Sequence, residues 1–130
     1  MNLKKVEYSK LKAKQKENYN FHKVAAKLAD YGYNSMRLND DWQGADFISV
    51  HNDGTMLKIQ LKGRLTISKK YLKKHIYVAF IENEEVKIYN HDTLVEMIPK
   101  NIKESVSWKV EGAYSWGQTP KIYDEKIINL

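Results

Sequence analysis

Three polar residues in the stretch GADFISVHNDGTMLKIQLKGR, residues 44–64, have types and spacing that suit phosphodiester hydrolysis. Asp46 begins one apolar segment, and Gln60 and Lys62 lie near the end of the next. A carboxylate and an amide oxygen suit Mg²⁺, which binds one or two carboxylates and completes its shell with waters and substrate oxygens. A lysine can position the attacking water or help to deprotonate it, and its charged form stabilises developing charge. The alternative is that Asp46 merely starts a strand and that Gln60 and Lys62 lie on a solvated strand face.

A β-hairpin is needed to bring these residues together. Strands are predicted over Ala45 to Val50 and Thr55 to Lys62, with a turn at His51 to Gly54 that contains Asp-Gly. Apolar residues alternate along the second strand and leave Gln60 on the opposite face. The antiparallel register then puts Asp46 opposite the Gln60 region, at one end of the sheet.

A helix before the hairpin adds another acidic candidate. Apolar residues at helical spacing predict a helix from about Ser9 to Tyr31. Glu17 lies one turn before Phe21 on the same stripe, at the edge of the buried face. It is therefore a candidate site residue. The alternative is that Glu17 only pairs with Lys14 or Lys10.

The remaining pattern predicts a mixed central β-sheet flanked by helices, an α/β fold. Further strands are predicted at Tyr33 to Leu38, Ile76 to Ile81 and Val86 to Tyr89, with a loop at Asn39 to Asp41 and a helix that Asp92 or Thr93 caps and that runs through Ile98. No linker or repeat divides the chain, so we expect one domain over residues 1–130.

Composition favours a basic, folded protein of a reducing compartment. Hydrophobic residues make up 42% of the chain and cysteine is absent, which excludes disulfides and thiolate zinc sites. No apolar run approaches the roughly 18 residues of a membrane span, and we expect a cytoplasmic protein without membrane contact. No glycine-rich phosphate loop is present, so we expect no nucleotide cofactor. The net charge of +6 suits a polyanionic partner, nucleic acid first.

The positive charge is concentrated after the predicted hairpin. Following Lys62, the chain carries a run of basic residues without an acid, which we expect to contact DNA phosphates: Arg64, Lys69, Lys70, Lys73 and Lys74. The alternative is that these lysines only solubilise a helical face. Trp42, just before Gly44, could stack on a base or cap the core. Trp108, Tyr114 and Trp116 are expected in the core or at an interface between copies.

The runs GAD and IQLKGR, preceded by a helix with Glu17, resemble the PD-(D/E)XK nuclease superfamily over roughly residues 10 to 90. The resemblance implies a restriction-endonuclease-like core and DNA cleavage with Mg²⁺ or Mn²⁺. It also implies that Asp46, Gln60 and Glu17 bind the metal and that Lys62 acts on the attacking water. Gln60 departs from the usual acid, although some members of the superfamily have Gln-x-Lys. A neutral amide binds Mg²⁺ more weakly than a carboxylate does.

Two other functions stay open at this point. The chain could be a catalytically weak or inactive module of the same fold that binds nucleic acid without cutting it, or a basic subunit of a larger protein assembly. If it does cut both strands, a domain of 130 residues covers little duplex, so a homodimer with paired sites is expected.

Overall fold

The protein is built on a six-stranded mixed sheet, seen here in a computed structural model that describes residues 1–130. The helices are α1 (Ala13–Ala29), α2 (His91–Glu96) and α3 (Lys100–Lys103). The strands are β1 (Tyr33–Trp42), β2 (Ala45–His51), β3 (Met56–Leu61), β4 (Thr66–Ser68), β5 (Ile76–Glu82), β6 (Glu85–Asn90), β7 (Ala113–Ser115) and β8 (Ile127–Asn129). Short 3₁₀ turns lie at Tyr8–Lys10, Lys69–Tyr71 and Lys121–Tyr123, and a π-helical turn lies at Ser107–Glu111.

The strand order in the main sheet is β1-β2-β3-β5-β6-β8, and β4 pairs with β7 in a separate two-stranded sheet. Neighbouring strands of the main sheet run antiparallel except β3 and β5, which are parallel. A parallel pair needs a crossover connection, and here the connection carries β4 and the turn Lys69–Tyr71. The mixed α/β sheet predicted from the sequence is therefore confirmed. No helix is both long and apolar enough to cross a membrane.

Separate apolar clusters cover the two faces of the sheet. Alternation along β5 assigns Val78 to one cluster and Ala79 to the other. Helix α1 packs on the Ala79 face through Phe21, Val24 and Leu28, as the helical spacing predicts. Full burial of a Val, Leu or Phe side chain contributes about 1.5–3 kcal/mol, so these contacts fix α1 against the sheet. The position of Glu17 follows from this packing.

Local details differ from the sequence-based predictions at three places. Helix α1 begins at Ala13 rather than near Ser9, because the backbone at Lys12 is extended and its amide donates to Gln15 Oε1. Residues Asn39–Asp41 belong to β1 rather than to a loop. The cap of α2 is Asn90, whose side chain accepts a hydrogen bond from the Thr93 amide, and neither Asp92 nor Thr93 is the cap.

Candidate active site

A polar cleft lies at the open end of the β2–β3 hairpin, where β2 begins and β3 ends. Helix α1 and the second half of β1 lie beside it. Its volume is about 360 Å³. Only two of its 13 lining residues are hydrophobic, and the others are Lys14, Glu17, Asn20, Arg37, Asn39, Asp40, Asp41, Asp46, Gln60, Lys62 and Gly63. The four predicted site residues Glu17, Asp46, Gln60 and Lys62 thus share one cleft, although they come from three elements and the turn after β3.

The β2–β3 hairpin positions Asp46. Phe47 pairs with Ile59, so the next positions outward are Asp46 and Gln60, as the turn predicts. Asp46 Oδ2 accepts a hydrogen bond of 2.8 Å from the Leu61 amide, which holds the carboxylate at the end of the hairpin.

The surroundings of Asp46 raise its pKa above the usual value. Burial is the largest cause, and the hydrogen bond from Leu61 opposes it. The negative charges of Asp41 and Glu17 raise the pKa further, and the positive charge of Lys62 lowers it. Asp46 therefore lies in a field of mixed sign in which an added cation would favour its ionised form.

Gln60 has a buried oxygen without a partner. The residue is only 8% exposed, and its Nε2 donates a long hydrogen bond of 3.4 Å to the Leu61 carbonyl. Its Oε1 has no hydrogen-bond partner in the protein. An unsatisfied buried acceptor costs about 1–3 kcal/mol, so a ligand that binds this oxygen would recover stability.

This oxygen decides whether the cleft suits a divalent metal. No three His, Cys, Asp or Glu side chains form a group that could hold a metal by themselves. The donor set is instead the Asp46 carboxylate and the free Gln60 amide oxygen. Mg²⁺ accepts such a set, because it needs only one or two carboxylates with waters and substrate oxygens. The residues present therefore fit a divalent cation.

Lys62 follows β3 and lies against an aromatic ring that sequence reasoning missed. Its amide donates to the Ala79 carbonyl of β5, and its Nζ lies 5.4 Å from the centroid of the Tyr71 ring. Tyr71 is 2% exposed, and its ring leaves little room for a side chain at position 44. A Cβ at Gly44 would lie 3.0 Å from Tyr71 Cδ1. Gly44 further has a φ of +86°, so both space and backbone favour glycine at this point.

Glu17 lies in the cleft and also forms the predicted pair with Lys14. It lines the cleft from α1, and its carboxylate forms an ion pair of 3.1 Å with Lys14. Both side chains are exposed, so the pair contributes little to stability. Glu17 is therefore free to exchange Lys14 for another cation.

A wide bulge in β1 forms the acidic wall of the cleft. Arg37 pairs with Phe47 and Trp42 with Ala45, so β1 advances five residues (42 − 37) while β2 advances two (47 − 45). The three extra residues bring Asp40 and Asp41 into the cleft. The sequence does not reveal either residue, because the Asn-Asp-Asp run predicts a loop. Bulges are nevertheless frequent beside active sites.

The predicted DNA-contacting cations lie outside the cleft. All five are exposed, and none forms an ion pair: Arg64, Lys69, Lys70, Lys73 and Lys74. Within this basic segment, only Lys69–Tyr71 is helical, as a short 3₁₀ turn.

The tryptophans divide between surface and core. Trp42 is 46% exposed at the end of β1, belongs to neither apolar cluster, and has Lys58 Nζ 5.7 Å from its ring centroid. Trp108 is buried in the core, and Tyr114 and Trp116 pack against it.

The fold resembles solved structures of two nucleases, whereas no protein-family model and no curated protein matches the sequence. The bacterial homing endonuclease I-Ssp6803I matches with a TM-score of 0.51 over 85% of this chain and 78% of that chain, at 11% identity. Hjc, a Holliday junction resolvase from the archaeal hyperthermophile Archaeoglobus fulgidus, matches with a TM-score of 0.44 over 61% of this chain and 79% of that chain, at 15% identity. At 11% identity, the match to I-Ssp6803I establishes the fold alone. The chain has the restriction-endonuclease-like nuclease fold that its sequence predicts.

Proposed function

We propose that the protein is a divalent-metal-dependent DNA endonuclease that hydrolyses phosphodiester bonds. One observation carries the proposal: Asp46, Gln60 and Lys62 line a single cleft at the end of the hairpin, with Glu17 at its rim. The chain also shares its fold with a homing endonuclease, which supports an endonuclease function.

Each residue of the cleft has a part in the proposed reaction. Asp46 and Gln60 hold a Mg²⁺ or Mn²⁺ ion through the carboxylate and the free amide oxygen, and Glu17 assists from α1. Bound there, the ion supplies Lewis-acid polarisation of the phosphate. Lys62 orients the attacking water and, as an ammonium, stabilises the charge that develops on the phosphate oxygens.

The exposed cations serve DNA binding in this proposal. Arg64, Lys69, Lys70, Lys73 and Lys74 have no acidic partner to displace, so they are available to phosphates. Trp42 offers an exposed ring beside the cleft on which a base can stack. Cleavage of both strands calls for a homodimer with one cleft for each strand.

Cleavage of supercoiled plasmid and of a synthetic four-way junction tests the proposal. Each substrate is incubated with Mg²⁺, Mn²⁺ or EDTA and with wild type, Asp46→Ala or Asp124→Ala. Asp124 is exposed and does not line the cleft, which makes it the matched control. We expect metal-dependent cutting by wild type and Asp124→Ala and none by Asp46→Ala. Equal cutting by Asp46→Ala would refute the proposed site.

The second candidate is a module of the same fold that binds nucleic acid without cutting it. The specific observation in its favour is the amide at position 60, together with the lack of a group of three acidic or histidine side chains. Salt-dependent DNA binding without cutting of either substrate would favour this candidate. Absence of binding as well would favour a role as a basic subunit in a protein assembly.

A further inference from the structure

We propose that Asp41, on the bulge of β1, supplies a second carboxylate to the cation held by Asp46 and Gln60. The inference rests on the proposed function, because it concerns the same cleft. It goes beyond that function by assigning a ligand that lies outside the β2–β3 hairpin. Asp41 then makes up for the carboxylate that Gln60 lacks.

The bulge orders Asp41 more than its neighbour Asp40. Asp41 Oδ1 accepts a hydrogen bond of 2.8 Å from the Gly44 amide, which fixes the plane of the carboxylate. Its Oδ2 accepts no hydrogen bond and forms no ion pair. Asp40 lines the same cleft, but its carboxylate forms no hydrogen bond and no ion pair within the protein. Asp41 thus presents one anchored and one free oxygen, a suitable state for a metal ligand.

The buried Gln60 oxygen indicates a ligand independently of the acidic residues. Gln60 Oε1 is buried and has no hydrogen-bond partner, and Gln60 lines the same cleft as Asp41. A water molecule or an anion alone would not explain why carboxylates line the same cleft. A divalent cation explains both, since it is bound by carboxylate and amide oxygens together.

Most of the cations that line the cleft are engaged by other groups, so few balance the carboxylates of Asp41 and Asp46. Lys14 is paired with Glu17. Arg37 forms no ion pair; it donates to Asn18 and lies 5.0 Å from the Phe21 ring centroid. Among the cations that line the cleft, only Lys62 remains to balance the negative charges of Asp41 and Asp46. A bound divalent cation would balance this excess of negative charge.

Mn²⁺ binding, followed by electron paramagnetic resonance of the free ion without DNA, tests the inference. The proteins are wild type, Asp41→Asn, Asp40→Asn and Asp46→Asn. Asn keeps the oxygen that accepts from Gly44, so Asp41→Asn removes charge while leaving the turn intact. We expect Asp41→Asn and Asp46→Asn to weaken Mn²⁺ binding about tenfold or more, and Asp40→Asn to change it less than about twofold.

A rescue variant separates metal binding from a role in the turn alone. Adding Gln60→Glu to Asp41→Asn should restore most of the lost Mn²⁺ affinity, which no repair of the β1–β2 turn could do. Thermal unfolding in EDTA should give similar midpoints for Asp41→Asn and wild type. The inference is overturned if wild type binds no Mn²⁺, or if Asp41→Asn binds as tightly as Asp40→Asn.

Failure of the inference and failure of the proposed function give different results. If wild type cuts DNA with Mg²⁺ and Asp41→Asn binds Mn²⁺ normally, the inference fails and the nuclease function stands. If wild type cuts nothing but Asp41→Asn weakens Mn²⁺ binding, the metal site stands and the nuclease function fails.

Discussion

The ammonium nitrogen of Lys62 lies 5.4 Å from the centroid of the Tyr71 ring, and that of Lys70 lies 5.1 Å from the same centroid. The ring is held in place from behind, because it packs edge-to-face with the buried His91 ring at a centroid distance of 5.5 Å. Burial raises the pKa of the Tyr71 hydroxyl, so the ring stays neutral. Tyr71 is thus a fixed aromatic surface that positions Lys62 at the cleft.

Replacing Tyr71 should therefore slow cleavage through Lys62. A cation–π contact contributes about 0.5–2 kcal/mol, so we expect Tyr71→Leu to lower kcat about three- to tenfold. Tyr71→Phe keeps the ring and should cut nearly as fast as wild type. Single-turnover rates, measured well below the unfolding temperature of each variant, check this. Equal rates for the Leu and Phe variants would show that the ring does not position Lys62.

Replacing Lys62 itself should have a larger effect. A lysine that acts on the attacking water contributes about 10²–10⁴ in rate, so Lys62→Ala should lose at least about 100-fold in kcat. Lys58 lies on the same strand but does not line the cleft, so Lys58→Ala is the matched control and should cut at nearly the normal rate. DNA affinity, measured in EDTA, should be similar for both variants. Normal cleavage by Lys62→Ala would contradict the proposed mechanism.

Replacing Gln60 by Glu should make the thermal unfolding midpoint depend more strongly on the Mg²⁺ concentration. Without metal, a carboxylate at this buried position adjoins that of Asp46, and we expect the unfolding midpoint to fall. With Mg²⁺, the second carboxylate is neutralised, and the midpoint should rise above that of wild type at the same concentration. Thermal unfolding across an Mg²⁺ titration measures both effects. A Mg²⁺ response equal to that of wild type would argue that position 60 does not touch the ion.

His91 should make the fold sensitive to mild acid. Burial lowers its pKa below the ordinary 6.5, although the hydrogen bond with Asp92 and the charge of Asp92 oppose the shift. Its Nε2 accepts from the Ser68 amide at 3.0 Å, which requires the neutral ring. Because the unfolded chain binds this proton more readily, the contribution to stability is complete above pH 6.5. It is lost as the pH falls from 6.5 to the lower pKa of the folded state.

Urea unfolding between pH 7.5 and 5 measures this dependence. We expect His91→Gln, which keeps an acceptor for Ser68, to remove part of the loss seen on acidification. His22→Gln changes an exposed histidine of α1 and should behave as wild type does. Identical pH dependence in His91→Gln and wild type would mean that other groups cause the loss.

The hairpin and α1 could be predicted from the sequence because their signals are local. Alternation along β3, the Asp-Gly turn and helical spacing each depend on residues a few positions apart, and they were enough to place Asp46 opposite Gln60. Tyr71 and Asp41 could not be found in this way. Tyr71 reaches Lys62 from the crossover between β3 and β5, and no local pattern predicts where a crossover packs.

The bulge shows why local signals also misled. Asn39–Asp41 consists of residues that favour turns, and this composition predicts a loop. The strand nevertheless continues, because the pairs Arg37–Phe47 and Trp42–Ala45 hold both sides of the bulge to β2. Tertiary pairing therefore overrides residue preference at this point, and it does so beside the candidate site.

Because of this bulge, the length of the acidic wall of the cleft can change without changing the register of the sheet. Since the pairs on either side stay matched, residues can be gained or lost between Arg37 and Trp42 without turning Phe47 or Ile59 away from the core. A one-residue insertion or deletion within a regular part of a strand would instead move every later side chain to the other face. Evolution can thus adjust the charge and reach of this wall while leaving the folding core untouched.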